Sequence, residues 1–191
     1  MLDIIEWELK DVKKPGIVLA LTKANNYHEA NVDLIKYMVN IRKEPGVIVT
    51  SNKPYATMKK ILEDENIDLR MIIFIDAITR VSGGDVQNVA GCYYLDDLHN
   101  LTDMALVIDE AIQAIPYDEK FLFFDSISTL LIYNNTGSVA KFIHFLTGKI
   151  RRWKLDGIFL SLELESDSEL LSQLSLFCDK VLRLEKPEVK Q

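Results

Sequence analysis

Asp125 and Ser126, at the end of the apolar run "KFLFFD" (120–125), are the residues of this chain with the clearest chemical potential. A strand that stops on an aspartate and turns into hydroxyl-bearing residues can help hold a magnesium ion, provided a partner loop cradles phosphates beside it. Such a P-loop follows the first strand: glycines let backbone N–H groups crowd the anion while a lysine and a hydroxyl reach phosphate and metal. Here that segment reads "LTKANNYHEANVDLI", with no glycine between Gly16 and Gly46 and no G-K-[ST] after the strand. The connection from Thr22 to Tyr27 is also about half the length the motif requires. Asn26, with Glu29 three residues on, has capping-box spacing, so the positive end of the following helix can be satisfied by its own side chains. Lys23 remains as a lone cation without oriented amides.

Other chemistry is thinner. Asp76 ends "MIIFID" as Asp125 ends its run, and both can bond to backbone amides of the turn that follows. Ser126 and Ser128 lack the G-x-S-x-G elbow and a neighbouring histidine, which argues against serine hydrolysis. His28, His99 and His144 are scattered singly, without metal-binding spacing. Cys92 and Cys178 lie far apart beside apolar or aromatic residues, the pattern of reduced core thiols. In "GKIRRWK" (148–154) the basic residues Lys149, Arg151, Arg152 and Lys154 suit the negative end of a helix better than a nucleic-acid surface.

The elements that must position these residues alternate along the chain. Seven short, mostly apolar runs read as strands buried on both faces: 16–22, 46–51, 71–78, 92–96, 120–125, 157–163 and 180–185. Between them lie helical periodicities: Ala30, Leu34, Met38 and Ile41; Met104, Ala105, Ile108 and Ile115; Val139, Phe142, Phe145, Leu146, Ile150 and Trp153. Pro54 suits a first helical turn, and Ser166 with Glu169 has capping-box spacing. The glycine-bearing segment 79–91 leads into a strand rather than a helix, so it reads as a mobile surface loop. Alternating elements of this kind imply an α/β three-layer sandwich with a mostly parallel central sheet. The expected organisation is one domain over 1–184 with a solvated tail over 185–191. A net charge of −7 opposes polyanions and anionic membranes. No apolar run is long enough to cross a bilayer, and the first residues lack a signal-peptide layout, which places the chain in the cytoplasm.

In order of elements the chain resembles the RecA superfamily, and within it the KaiC-like branch of ATPase domains, most nearly small archaeal relatives without a P-loop. The resemblance rests on "PGVIVTSNKPYATMKKILEDENIDLRMIIFIDAIT", "KFLFFDSISTLLIYNNTGSVAKFIHFLTGKIRRWKLDGIFLSLE" and "FCDKVLRLE", over half the chain. It implies a RecA-like fold in which Asp125 looks like the magnesium-organising aspartate, with Ser126 after it. Active members carry a pair of glutamates after the second strand, one activating water. This chain has Ser51 and Asn52 there, neither a suitable base. Glu163 is the spare carboxylate expected near that edge.

Loss of the cradle and of the water-activating acid together implies a non-catalytic module, a scaffold or regulator that binds copies of itself or an active relative. The alternative is a weak ATP-binding protein or ATPase with an unorthodox loop, placing Asp125 on magnesium and Ser126, Lys23 and Lys53 around the nucleotide.

Overall fold

The computed structural model of the chain describes residues 1–86 and 89–185. Among these, all seven runs form strands: β1 Ile17–Thr22, β2 Gly46–Thr50, β3 Ile72–Asp76, β4 Cys92–Tyr94, β5 Phe121–Asp125, β6 Asp156–Leu162 and β7 Lys180–Leu184. They form one sheet in the order β4-β3-β2-β5-β6-β1-β7, each neighbouring pair parallel. Parallel neighbours require crossovers, and the helices supply them on both faces.

One face is covered by α1 Leu2–Leu9, α2 Tyr27–Lys36, which continues through a π-helical stretch Tyr37–Ile41, and α3 Tyr55–Asp64. The other is covered by α4 Leu101–Gln113, α5 Ile127–Tyr133, α6 Thr136–Trp153 and α7 Ser168–Ser175. Alternation along a strand sends Phe121 and Phe123 to the first face, Leu122 and Phe124 to the second. All four are fully buried, and each apolar side chain of this size stabilises the fold by about 1.5–3 kcal/mol on burial. The result is the expected three-layer α/β sandwich.

Several local expectations are corrected. Asn26 precedes α2 but makes no capping hydrogen bond, because the residues Ala24–Asn26 form a 3₁₀ turn that leads straight into the helix. Ser166 does not cap α7 either; it lies inside a 3₁₀ turn, its hydroxyl donating to Asp167. Helices α1 and α5 add to the periodic segments read from sequence, being short. Phe145 and Ile41, assigned to apolar faces by spacing, are 51% and 40% exposed.

Of the loop expected over 79–91, residues 87 and 88 lie outside the described residues, as do 186–191 of the expected tail. The start of this loop is tied down by Asp76, which accepts from the backbone N–H groups of Ile78 and Thr79 and the Thr79 hydroxyl. Among the described residues no helix is long and apolar enough to cross a membrane.

Candidate functional site

The carboxyl ends of β2, β5 and β6 meet at one edge of the sheet, with Thr50 level with Asp125 and Asp125 level with Leu160. In open parallel sheets this is the edge where chains leave the strands and functional side chains collect. Here it carries a cleft of about 460 Å³ lined by Ala24, Tyr27, Asn52, Lys53, Ser126, Ser128, Thr129, Ile132, Leu162 and Leu164.

Asp125 sits beneath this cleft, fully buried, and the peptide bond joining it to Ser126 is cis. Its carboxylate behaves differently from that of Asp76. Asp76 is held by backbone amides of its own turn and by the N–H of Tyr55 at the start of α3, 2.7 Å away. Asp125 Oδ1 instead accepts from two side chains, the Tyr27 hydroxyl and Asn52 Nδ2, the latter at 3.1 Å. Its Oδ2 is buried without a hydrogen-bond partner among the described residues. With no cation paired to it among the described residues, desolvation by burial pushes the Asp125 carboxyl up to about 8.

Asn52 organises the rest. Its amide nitrogen also lies 2.5 Å from the Tyr27 oxygen and 3.2 Å from Ser126 Oγ. Its carbonyl accepts from the Thr129 hydroxyl, which in turn lies 3.1 Å from Ser126 Oγ. Ser51 fixes the backbone beneath: its N–H and hydroxyl both donate to the Asp125 carbonyl, at 2.7 and 2.8 Å. The Ser51 oxygen accepts from Ser126 N–H. Tyr27, Asn52, Asp125, Ser126 and Thr129 thus form one connected network drawn from three crossovers.

The predicted cations separate. Lys53 lines the cleft, with its ammonium 5.7 Å from the centre of the Tyr27 ring. Burial lowers its pKa, and no carboxylate among the described residues lies within ion-pair distance. Lys23 turns away to Glu185, 3.0 Å distant. Glu163 is absent from the cleft: it accepts from Arg183 at 2.8 Å and lines a separate depression with Leu171 and Val181. Ser128 is bonded to Ser161 at 2.9 Å and accepts from the Leu162 N–H, which accounts for its hydroxyl structurally. Read from sequence, Asn52 is only an absent base and Tyr27 only the end of a short connection. The spacing of Ser126 and Thr129 across the first turn of α5 was the available sign that these hydroxyls share a face.

The remaining candidates stay apart. Among the described residues no group of three or more His, Cys, Asp or Glu is placed to hold a metal. Cys92 and Cys178 are unbridged, and burial pushes both thiols up to about 12. In the basic segment Lys149 pairs with Asp109 and Arg151 with Asp179, each at 3.0 Å.

Solved structures with this architecture include two from Pyrococcus horikoshii OT3. A KaiC-like protein, PH0186, aligns with a TM-score of 0.64 and 14% identity, covering 94% of this chain and 76% of its own. A second protein, PH0250, aligns with a TM-score of 0.66 and 15% identity, covering 95% of this chain and 87% of its own. At such identities the likeness concerns the fold, which is RecA/KaiC-like. No curated protein matches. A profile built for DUF7504, a family of unknown function, matches residues 46–184, which includes β2 to β7 and every site residue except Ala24 and Tyr27. On that match the chain belongs to the DUF7504 family.

Proposed function

We propose that this chain is a RecA/KaiC-like module that acts by binding, as a scaffold or regulator, rather than by hydrolysing nucleotide. The observation that carries the reading is the Tyr27–Asn52–Asp125 contact. The aspartate that resembles a magnesium organiser has one oxygen engaged by a phenol and an amide. The other oxygen is buried, and its carboxyl is pushed up to about 8. A neutral acid is a poor ligand for magnesium, a hard cation that takes ionised carboxylate oxygens and keeps its waters.

The phosphate side of the site supports the same conclusion. Between β1 and α2 lie Lys23 and one 3₁₀ turn, and Lys23 is engaged by Glu185. Both features weigh against a magnesium–triphosphate site of the P-loop kind. Positioning and charge stabilisation supply most of the catalysis in phosphoryl transfer, and neither has an evident source here.

Lys53 favours a second reading: a cation beside an open cleft with the Ser126 and Thr129 hydroxyls would suit weak binding of an anionic ligand such as ATP. Thermal unfolding with Mg-ATP separates the two. The melting temperature is expected to stay constant to about 5 mM nucleotide. Binding at a hundredfold excess over Kd would add roughly 2.7 kcal/mol. That shift, or ATP turnover abolished by Asp125→Ala, would overturn the binding-module reading.

A further inference from the structure

The cleft beside Asp125 presents a cation and a hydroxyl that its own hydrogen-bond network leaves open. The Tyr27 hydroxyl donates to Asp125 Oδ1 and the Thr129 hydroxyl to the Asn52 carbonyl, so both are committed inside the network. The Ser126 oxygen accepts from Asn52 Nδ2, 3.2 Å away, and its one proton can turn to Thr129 Oγ1 or outward. Lys53 lines the same cleft with three N–H donors. Its ammonium lies over the Tyr27 ring, and neither a hydrogen-bond acceptor nor a carboxylate reaches it among the described residues. No acidic residue lines the cleft.

Charge and shape narrow the class of ligand. One ammonium balances one negative charge, and Lys23 is engaged by Glu185. A phosphate monoester carries about −1.5 to −2 at neutral pH, so a carboxylate matches the site better. Above the polar floor the walls are hydrocarbon: Ile132, on α5, is 77% exposed, and Leu164, just after β6, is 44% exposed. A cleft of about 460 Å³ with apolar walls and a few polar groups has the make-up of a small-molecule site.

We propose that this cleft binds a small amphipathic monocarboxylic acid, its carboxylate at Lys53 and the Ser126 hydroxyl and its hydrocarbon chain against Ile132 and Leu164. Asp125, beneath the floor and held by Tyr27 and Asn52, is neutral below about pH 8 and does not repel the carboxylate. The bound acid covers apolar side chains otherwise open to water and ties the segment after β2 to α5 and to the end of β6. The proposal rests on the binding-module reading and gives that module a ligand to sense.

Amide NMR titration of the full chain with hexanoate, 1-hexanol and acetate tests it. Hexanoate is expected to shift the signals of Lys53, Ser126 and Ile132 with a Kd of about 1 mM or tighter, in keeping with a ligand of its size. Hexanol lacks the charge and acetate lacks the chain, so each is expected to bind at least about 10-fold more weakly. Lys53→Gln should weaken hexanoate about 10-fold and leave hexanol unchanged, whereas Ile132→Ser should weaken both about threefold. Lys53→Met takes the place of Lys53→Gln if thermal unfolding shows that the latter has not folded.

Absence of shifts at about 10 mM hexanoate overturns the proposal. So does hexanol binding as tightly as hexanoate. Hexanoate binding that survives removal of the Lys53 charge overturns it as well, and marks an adventitious apolar site such as the groove between α4 and α6 lined by Leu106 and Phe145. If neither hexanoate nor Mg-ATP has an effect, this proposal falls alone and the binding-module reading stands. Stabilisation by Mg-ATP overturns both.

Discussion

Asp125 shows how far one side chain's role depends on its surroundings. It and Asp76 end the two strands that flank β2 in the same way, yet Asp76 is held by backbone amides while one Asp125 oxygen is held by a tyrosine and an asparagine. Burial lifts the Asp125 carboxyl from 3.8 to about 8. Between those values the folded protein holds a proton that the unfolded chain releases. The unfolded state then binds fewer protons, so this group's contribution to stability falls as pH rises through the window and levels off above it. The slope approaches about 1.4 kcal/mol per pH unit at most. Asp125→Asn keeps the neutral shape and cannot ionise. Chemical denaturation at about pH 5 and about pH 8 should therefore show the wild type losing at least about 2 kcal/mol more than the variant. Equal losses would mean that Asp125 is already ionised in the folded protein at about pH 5.

Two glycines test the packing of individual elements. Gly46 opens β2 and pairs with both Ile72 and Phe121. A Cβ there would lie 2.4 Å from the fully buried Phe121 ring, which has no room to withdraw. Gly46→Ala is expected to destabilise by about 1–3 kcal/mol, as overpacked cores do. Gly148 lies in the body of α6 with nothing within 4 Å of a Cβ. Gly148→Ala should stabilise by about 0.5–1 kcal/mol, since alanine loses less backbone freedom in a helix. Urea unfolding of both variants reads the opposite signs directly. Elements of this kind were largely legible in the sequence: the seven apolar runs end within two residues of the observed strands. Capping was less so, because Asn26 and Ser166 have the required spacing but stand in 3₁₀ turns whose backbone directs their side chains elsewhere.

At the scale of the molecule, charge decides which partners are plausible. The segment from Lys149 to Lys154 is basic in sequence, but Lys149 and Arg151 are paired with Asp109 and Asp179 in a chain of net charge −7. Paired cations release few counterions, the main source of nucleic-acid affinity. Fluorescence anisotropy with a labelled single-stranded oligonucleotide should therefore detect no binding tighter than about 100 µM at low salt. Tighter binding that weakens steeply with salt would show that the segment is an electrostatic surface after all. Large apolar side chains are exposed at scattered places, among them Trp7, Leu106, Ile132 and Leu176.

The sequence by itself determined the layers of this protein, because unbroken apolar runs must be buried on both sides and alternating helices are the cover available to them. It also determined that Asp125 and Ser126 stand at a strand end, and that the first connection is short and without glycine. Only the tertiary structure decided which side chains reach that aspartate. Tyr27 and Asn52 are separated from it by 98 and 73 residues, and the strand order brings their crossovers to one edge of the sheet. The same is true of Phe145, whose helical spacing matches that of its buried neighbours. Its exposure depends on where α4 ends its cover of α6, a property of packing rather than of period.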